Sequence, residues 1–510
     1  MIWEIIQKSL EFIAEEMGIV LKRSSVSPNI RERNDFSCGI IDEEGRILAL
    51  AEHIPVHLGS FKVMAKNCIE YIQELEEGDV LLFNDPYISG THLNDLTLAR
   101  PVFHNNKLIA LTLNKAHHVD VGGPIPASIN PNAKTIYEEG LIIPPVKIMR
   151  KNEIIKEVID LIKSNFKVPS AFVADLKAQI AASINGEKRI KELIDKVSLD
   201  EFKEANYKAF NYSKRIVEKN LSEFRGYSCN AEDYLELEEE LLTIKVKINI
   251  NDKFSVDFRG SSKQIERPLN AVYGVTFSSV SFALRCLIRD YLPLNEGFYE
   301  IISVNADEGT IVNPKKPAPV SAGNLETSQR IVDAIFKALA TIMPNKIPAA
   351  GCGTMMNVMM GGIRNGEFWS YYETIGGGSG ARPNKDGVSA THTNMTNTLN
   401  TPIEIAELEY PLLYTIYEIR RNSGGYGKYK GGDGIVRGFK ITERATLSII
   451  SDRFRIRPWG LNGGGQGERG RITLIRNGIP KEMPSKFTIE LIQGDEVIIE
   501  TPGGGGFGEK

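Results

Sequence analysis

Between Met1 and Val20, apolar residues recur at helical spacing, with Glu4, Glu11, Glu15 and Glu16 interleaved. That pattern predicts an amphipathic helix, running to about Arg23, and makes a poor signal peptide. Two short runs follow, 36–41 and 46–51, joined by Asp42-Glu43-Glu44-Gly45; they read as a hairpin. A second helix is expected over 61–76, ended by Gly78, with short strands at 80–83, 96–103 and 108–114. From 151 to 228 the apolar period is three to four among many Lys and Glu, which predicts helices including 170–185 and 199–223. Strict alternation at 243–250 marks a half-buried strand. Further helices are expected at about 271–290 and 327–340. Beyond about Ala350, glycine clusters such as 376–378 and 503–506 punctuate short strands, so tight turns and close backbone approaches are expected.

The expected fold is therefore mixed α/β and multidomain. An N-terminal α/β domain over 1–150 carries the candidate metal site, and a helical segment covers 151–228. An α/β domain follows over 229–345, then a Gly-rich, β-dominated region over 346–510. A chain of 510 residues is too long for one core, which agrees with this division. The net charge of −4, with no Lys/Arg run, gives no pull towards nucleic acid. No uncharged apolar stretch approaches the roughly 20 residues that span a bilayer. The cysteines, Cys38, Cys68, Cys229, Cys286 and Cys352, are scattered without a CxxC. A disulfide framework or thiolate zinc site is not expected, and a reducing cytoplasm is.

Six of the seven histidines fall between His53 and His118, interleaved with carboxylates, as expected of a chain that builds one site there. Neutral imidazole with carboxylate suits a divalent Zn, Mn or Fe ion. His92 and Asp95 sit in a Pro/Gly/Asn-rich loop, where turn chemistry asks for Asp but not for imidazole. Asp85, before Pro86, reads as a turn residue. In the run Ala116-His117-His118-Val119-Asp120, alternation puts His118 and Asp120 on one face and His117 on the other. This leaves either histidine open as the ligand, with Asp120 or Asp95 free to orient it or to move protons. Pro55 rules out a helical HExxH motif at His53 and His57, which are candidate pocket residues. His104 and His392 read as structural. No Walker-type loop, Rossmann fingerprint or GxSxG elbow occurs, so any ATP would be handled by another polypeptide.

The runs at 34–37, 53–60, 84–95 and 116–123 together resemble the hydantoinase B/oxoprolinase family. Matching stretches at 266–270, 322–330, 423–425, 457–460 and 501–508 extend the likeness to nearly the whole chain. The family includes the B-type subunits of ATP-dependent N-methylhydantoinases, the C-terminal half of 5-oxoprolinases and the α subunits of acetone carboxylases. The resemblance implies Asp35, His92 and His117 as metal ligands, with Asp95 and Asp120 beside them for acid–base work. His118 then lies behind the ligand, at a substrate pocket with His53 and His57. It also implies an A-type partner that binds ATP and activates the substrate, hence a hetero-oligomer acting on a small molecule. The expected reaction is opening of a cyclic amide such as a hydantoin, N-methylhydantoin, 5-oxoproline or a related lactam. ATP-dependent ketone carboxylation (acetone or acetophenone) and a non-catalytic scaffold role are the alternatives.

Overall fold

A computed structural model describes residues 2–510, without the side chain of Glu52. The first helix spans Ile2–Ser24; Met1 lies outside the described residues. It buries Ile6, Leu10, Ile13, Ala14, Met17 and Leu21, the three-to-four spacing of one face. That face packs on the helices Pro169–Val197 and Leu199–Leu221 and on the first two strands of a sheet. The helix expected over 170–185 continues to Val197, straight through Gly186. A methyl at Gly186 would overlap the Met17 side chain, so the missing Cβ allows close helix approach rather than stopping the helix. Conversely, the helix expected over 61–76 breaks at Cys68 into Ser60–Asn67 and Ile69–Gln73.

The N-terminal sheet is built from β1 Phe36–Asp42, β2 Ile47–Glu52, β3 Val80–Phe83, β4 Asp95–His104, β5 Lys107–His117, β6 Val146–Arg150 and β7 Glu153–Ile154. Its order is β2-β1-β5-β4-β3-β6-β7, and every neighbouring pair is antiparallel. A second sheet contains β8 Ser228–Leu237, β9 Glu240–Ile250, β10 Phe254–Asp257 and β11 Ile302–Asn305, in the order β11-β10-β9-β8. The helices Tyr273–Leu287 and Ser328–Ala340 pack on each other, and the latter on β8 and β9. One buried apolar cluster runs from Ile41 through Leu113, Val280 and Ile335 to Ile450.

The last third holds two further sheets. β12 Asn357–Arg364 and β13 Glu367–Thr374 join Ala445–Ile450 and Lys486–Leu491 in one. Five strands, from Leu412–Arg420 to Glu496–Glu500, make the other. Glycine loops interlock between them. A methyl at Gly378 would strike the Gly432 carbonyl, and one at Gly504 the Ser379 carbonyl, so backbone lies directly on backbone. Among the described residues, no helix is long and apolar enough to cross a membrane.

Buried charge ties the regions together. Arg330 and Arg453 are each 0% exposed. Arg330 donates to Asp452 at 2.7 Å and to Asp333 at 3.2 Å; Arg453 donates to Asp333 at 2.7 Å. Asp233 of β8 completes the group and accepts the Trp459 indole N–H at 3.2 Å. Glu326 lies nearby and accepts from Met355 N and Asn357 Nδ2, while its Oε2 is buried without a partner. Burial, assisted by Asp452, pushes its carboxyl up to about 8. A carboxyl raised in the folded state stabilises fully below its unfolded pKa and loses that contribution as pH rises towards 8. Stability from this group is thus expected to fall by roughly 1.4 kcal/mol per pH unit across the window from its ordinary value to about 8. Glu326→Gln, which mimics the protonated acid, should leave the melting temperature near that of wild type at pH 5. At pH 9 it should raise it. Parallel thermal melts at the two pH values check this, and equal shifts at both would contradict it.

Candidate metal centre

Three adjacent strands end at one place. β1 begins just after Asp35, β5 ends at His117 and β4 begins with Asp95. Asp95 is the cross-strand partner of His117, and Phe36 that of Ala116. Antiparallel register thus sets Asp35, His117 and Asp95 side by side. His92 arrives from the loop before β4. There Asp85 caps the short helix Pro86–Ser89 by accepting from Tyr87 N at 3.1 Å, and Gly90 at φ 81° turns the chain back. Asp85 therefore does turn chemistry.

His92 Nε2 lies 3.2 Å from Asp95 Oδ1 and 3.2 Å from His117 Nδ1, and His117 Nδ1 lies 3.5 Å from the same oxygen. Donor atoms about 2.1 Å from a tetrahedral ion stand about 3.4 Å apart, so this triangle has the size of one coordination face. The Ser321 carbonyl lies 3.2 Å from His92 Nδ1. A carbonyl only accepts, so Nδ1 carries a proton, and Nε2 is the nitrogen left to face an ion in the triangle once it gives up its own proton. His57 meets the other oxygen, Asp95 Oδ2, at 3.2 Å, and its Nδ1 lies 3.0 Å from Ser37 Oγ. Asp95 thus offers one oxygen to the triangle and the other to His57. The His117 ring stacks on Tyr372 of β13, with centroids 4.6 Å apart and planes at 8°.

All three donors are buried. Burial opposes charge on Asp95, yet His92 and His57 overcome it and hold its carboxyl well below the ordinary value. Burial also disfavours charge on His92, but the Asp95 carboxylate lifts its pKa above normal, so its free nitrogen is a basic ligand. Burial lowers His117, leaving it neutral. The donors bound a chamber of about 20 Å3, room for one ion or water. Chemically, the set fits a Zn, Mn or Fe ion.

The structure brings Asp35, His57, His92, Asp95 and His117 together around this chamber. Asp35 Oδ2 stands 3.8 Å from His117 Nδ1 and 3.8 Å from Arg33 Nη2, at the margin of the triangle. Asp95, expected beside the ligands, shares the closest approach with the two imidazoles, and the expected ligand Asp35 stands just outside that triangle. Asp120, expected as a proton carrier, is elsewhere. Its carboxylate accepts from Gly122 N at 3.0 Å and pairs with Lys167 Nζ at 3.1 Å, holding a glycine turn. His118 faces away and meets Gln179 Oε1 at 2.9 Å. His53 lies against Phe36 and Glu15, outside the chamber. Sequence reasoning missed Asn324, Tyr372, Thr374, Thr396 and Thr398, which form the opposite wall. Asn324 sits on a π-helical turn, Gly323–Thr327, and its side-chain carbonyl is buried without a partner. Such turns recur at functional sites, and the matching stretch 322–330 was the available signal.

The profile of the Hydantoinase B/oxoprolinase family matches residues 1–510. The chain belongs to the hydantoinase B/oxoprolinase family. A family relative, the 5-oxoprolinase of Dictyostelium discoideum, is 36% identical over 98% of this chain and 39% of that protein, so the chain spans well under half of that relative. The candidate B component of a D-/L-hydantoinase from Pseudomonas sp. (strain NS671) is 31% identical over 99% of this chain and 89% of its own length. The ATP-dependent caprolactamase of Pseudomonas jessenii superposes with a TM-score of 0.91 at 28% identity, over 99% of this chain and 90% of that one. An acetone carboxylase chain shares the fold, with a TM-score of 0.92 at 18% identity over 99% and 75% of the two chains.

Proposed function

We propose that this chain is the metal-bearing, amide-opening component of an ATP-dependent cyclic amide hydrolase, working with a separate ATP-binding subunit. The observation that carries the reading is the buried triangle of His92 Nε2, Asp95 Oδ1 and His117 Nδ1. Kinship with the hydantoinase component and the caprolactamase supports a cyclic amide over a ketone, since the carboxylase likeness is one of fold alone.

A lactam carbon resists attack, and its nitrogen leaves poorly. Phosphorylation of the amide oxygen by the partner removes the first obstacle. Water then bonds to that carbon, the ring C–N bond breaks, the nitrogen takes up a proton, and the acyl phosphate formed is hydrolysed by a second water. A divalent ion in the triangle would supply Lewis acidity and lower the pKa of water. His92 is locked in its tautomer by Ser321, and Asp95 is held ionised by His92 and His57. Asp35, which makes no side-chain hydrogen bond among the described residues and lines the chamber, takes and returns the proton. Asn324 orients the substrate from the opposite wall.

The test is a metal assay on the purified chain, followed by a panel of hydantoins, 5-oxoproline and larger lactams with ATP and the A-type partner. About one Zn, Mn or Fe per chain, with ring opening of one panel member, is expected. A chain that takes up no metal after reconstitution would refute the reading. His57→Ala should weaken metal binding about 10- to 100-fold, because it removes the group that fixes Asp95. A competitive chelator titration reads this directly.

A further inference from the structure

The Glu139 carboxylate is 1% exposed and forms no ion pair with Lys or Arg among the described residues. Its hydrogen bonds all come from one place. Val320 N donates to Oε2 at 2.9 Å, while Ser321 N at 2.9 Å and Ser321 Oγ at 2.8 Å both donate to Oε1. Burial pushes the carboxyl up to about 7, against the pull of these three donors. A buried carboxyl without a counter-ion costs folding free energy that a neutral side chain would spare, and such groups gather at functional sites. Glu139 itself does not line the metal chamber, so any role it has there passes through what it holds.

Ser321 is the first residue of a helical run that passes through the π-turn Gly323–Thr327 into Ser328–Ala340. A carboxylate at the start of a helix is favoured by the unpaired N–H groups and the dipole there. The Ser321 carbonyl faces His92 Nδ1 at 3.2 Å, and Asn324, about one turn on, reaches the chamber from the opposite wall with its side-chain carbonyl unpartnered. Both walls of the chamber thus depend on where Ser321 stands. Among the described residues, only Glu139 receives the Ser321 amide and hydroxyl. The same loop is held further back by Tyr87, whose hydroxyl donates to the Ala318 carbonyl at 2.9 Å. Glu139 is in turn braced by the backbone on either side of it. Ile136 N donates to Pro317 O at 2.9 Å, and Leu141 N donates at 2.8 Å to Val121 O, just beyond β5.

We propose that Glu139 is a positioning residue of the metal centre: through the Ser321 amide and hydroxyl it sets the carbonyl that orients His92, and through the helix start it sets Asn324 on the opposite wall. Its carboxylate touches neither ion nor substrate and acts only through the segment it grips. This rests on the metal reading above, because that reading supplies the ion towards which His92 is oriented.

The experiment measures the zinc affinity of the full-length chain by competitive chelator titration, and the visible absorption of the same chain loaded with cobalt(II). Variants are Glu139→Ala, Glu139→Asp, Glu139→Gln and Tyr87→Phe, each checked for fold by circular dichroism. Glu139→Ala should lower affinity roughly 10- to 100-fold, the cost of losing a group that orients a ligand, and should shift the cobalt bands as His92 turns. Glu139→Gln keeps an oxygen for Ser321 and turns its amide nitrogen to Val320, so it should recover most of the affinity. Glu139→Asp keeps the charge but falls one methylene short of Ser321, and should lie between alanine and wild type. Tyr87→Phe loosens the same loop without touching Ser321, and should leave affinity and cobalt bands as in wild type. Unchanged affinity and bands in a folded Glu139→Ala chain would overturn the proposal. An equal loss in Tyr87→Phe would also overturn it, since any loosening of the loop would then suffice. If Glu139→Ala does not fold, Glu139→Asp decides: affinity equal to wild type overturns the proposal, and reduced affinity with shifted bands upholds it. Failure of the metal reading looks different, because the wild-type chain itself then takes up neither zinc nor cobalt.

Discussion

His92→Ala is expected to strip the chain of its metal and end ring opening, while the partner continues to turn over ATP unproductively. The imidazole is the one donor whose tautomer the structure fixes from outside, through the Ser321 carbonyl, and its free nitrogen is 3.2 Å from each of the other two donors. Its loss removes a ligand and leaves Asp95 and His117 without their common neighbour. Metal affinity should drop by more than the roughly 10- to 100-fold that outer partners command. The carboxylates sharpen the test. Asp95→Asn should lose metal as His92→Ala does, whereas Asp35→Asn should retain metal and slow the chemical step. The reverse pattern would return the ligand role to Asp35. His118→Ala is the control, since that side chain faces Gln179 and should hold metal as wild type does. Metal analysis and a coupled assay of product against ADP separate all four variants.

The second large effect is on folding. Arg330→Ala should destabilise the chain by about 3–5 kcal/mol, the usual result of removing one partner from a buried ion group. Asp452 and Asp333 would each lose a donor at 2.7 and 3.2 Å, in a setting where neither reaches water. The group links β8, the helix Ser328–Ala340 and the loop carrying Asp452, Arg453 and Trp459. Damage should therefore appear as loss of cooperative unfolding across distant parts of the chain. Denaturant titration followed by both tryptophan fluorescence and far-ultraviolet circular dichroism tests this. A destabilisation below about 1 kcal/mol would place the group's weight elsewhere.

Much of the site was legible where neighbours in sequence are neighbours in space. Histidine clustering between His53 and His118 pointed to one centre, and strand alternation correctly separated His117 from His118. Alternation says only that two faces differ, however. Which face meets the centre depends on the register that sets Asp95 opposite His117, a pairing made across a turn and ten residues of strand. Extending the same alternation to Asp120 failed because the strand ends at His117; beyond it the chain coils and Lys167 captures the carboxylate. Tyr372 and Thr398 had no local signature at all, and Asn324 had only its place in the matching stretch 322–330. They arrive from more than two hundred residues away, brought by the packing of other layers. The helix expected over 170–185 runs on to Val197 because Gly186, inside it, serves a tertiary contact with Met17.

The glycine loops of the last third carry a consequence for the order of assembly. Residues 503–506 thread between the loops at 378–380, 423–426 and 459–465, each contact being main chain against main chain. The Gly504 amide donates to Gly432, and the Gly505 amide to Ala350, so loops widely separated along the chain close only around this late segment. On a ribosome the N-terminal sheet and its two imidazole donors are complete long before that keystone emerges. A half-made chain thus holds His92, Asp95 and His117 together before Tyr372 and Thr398 are made, and the glycine loops lock only once residues 503–506 have emerged.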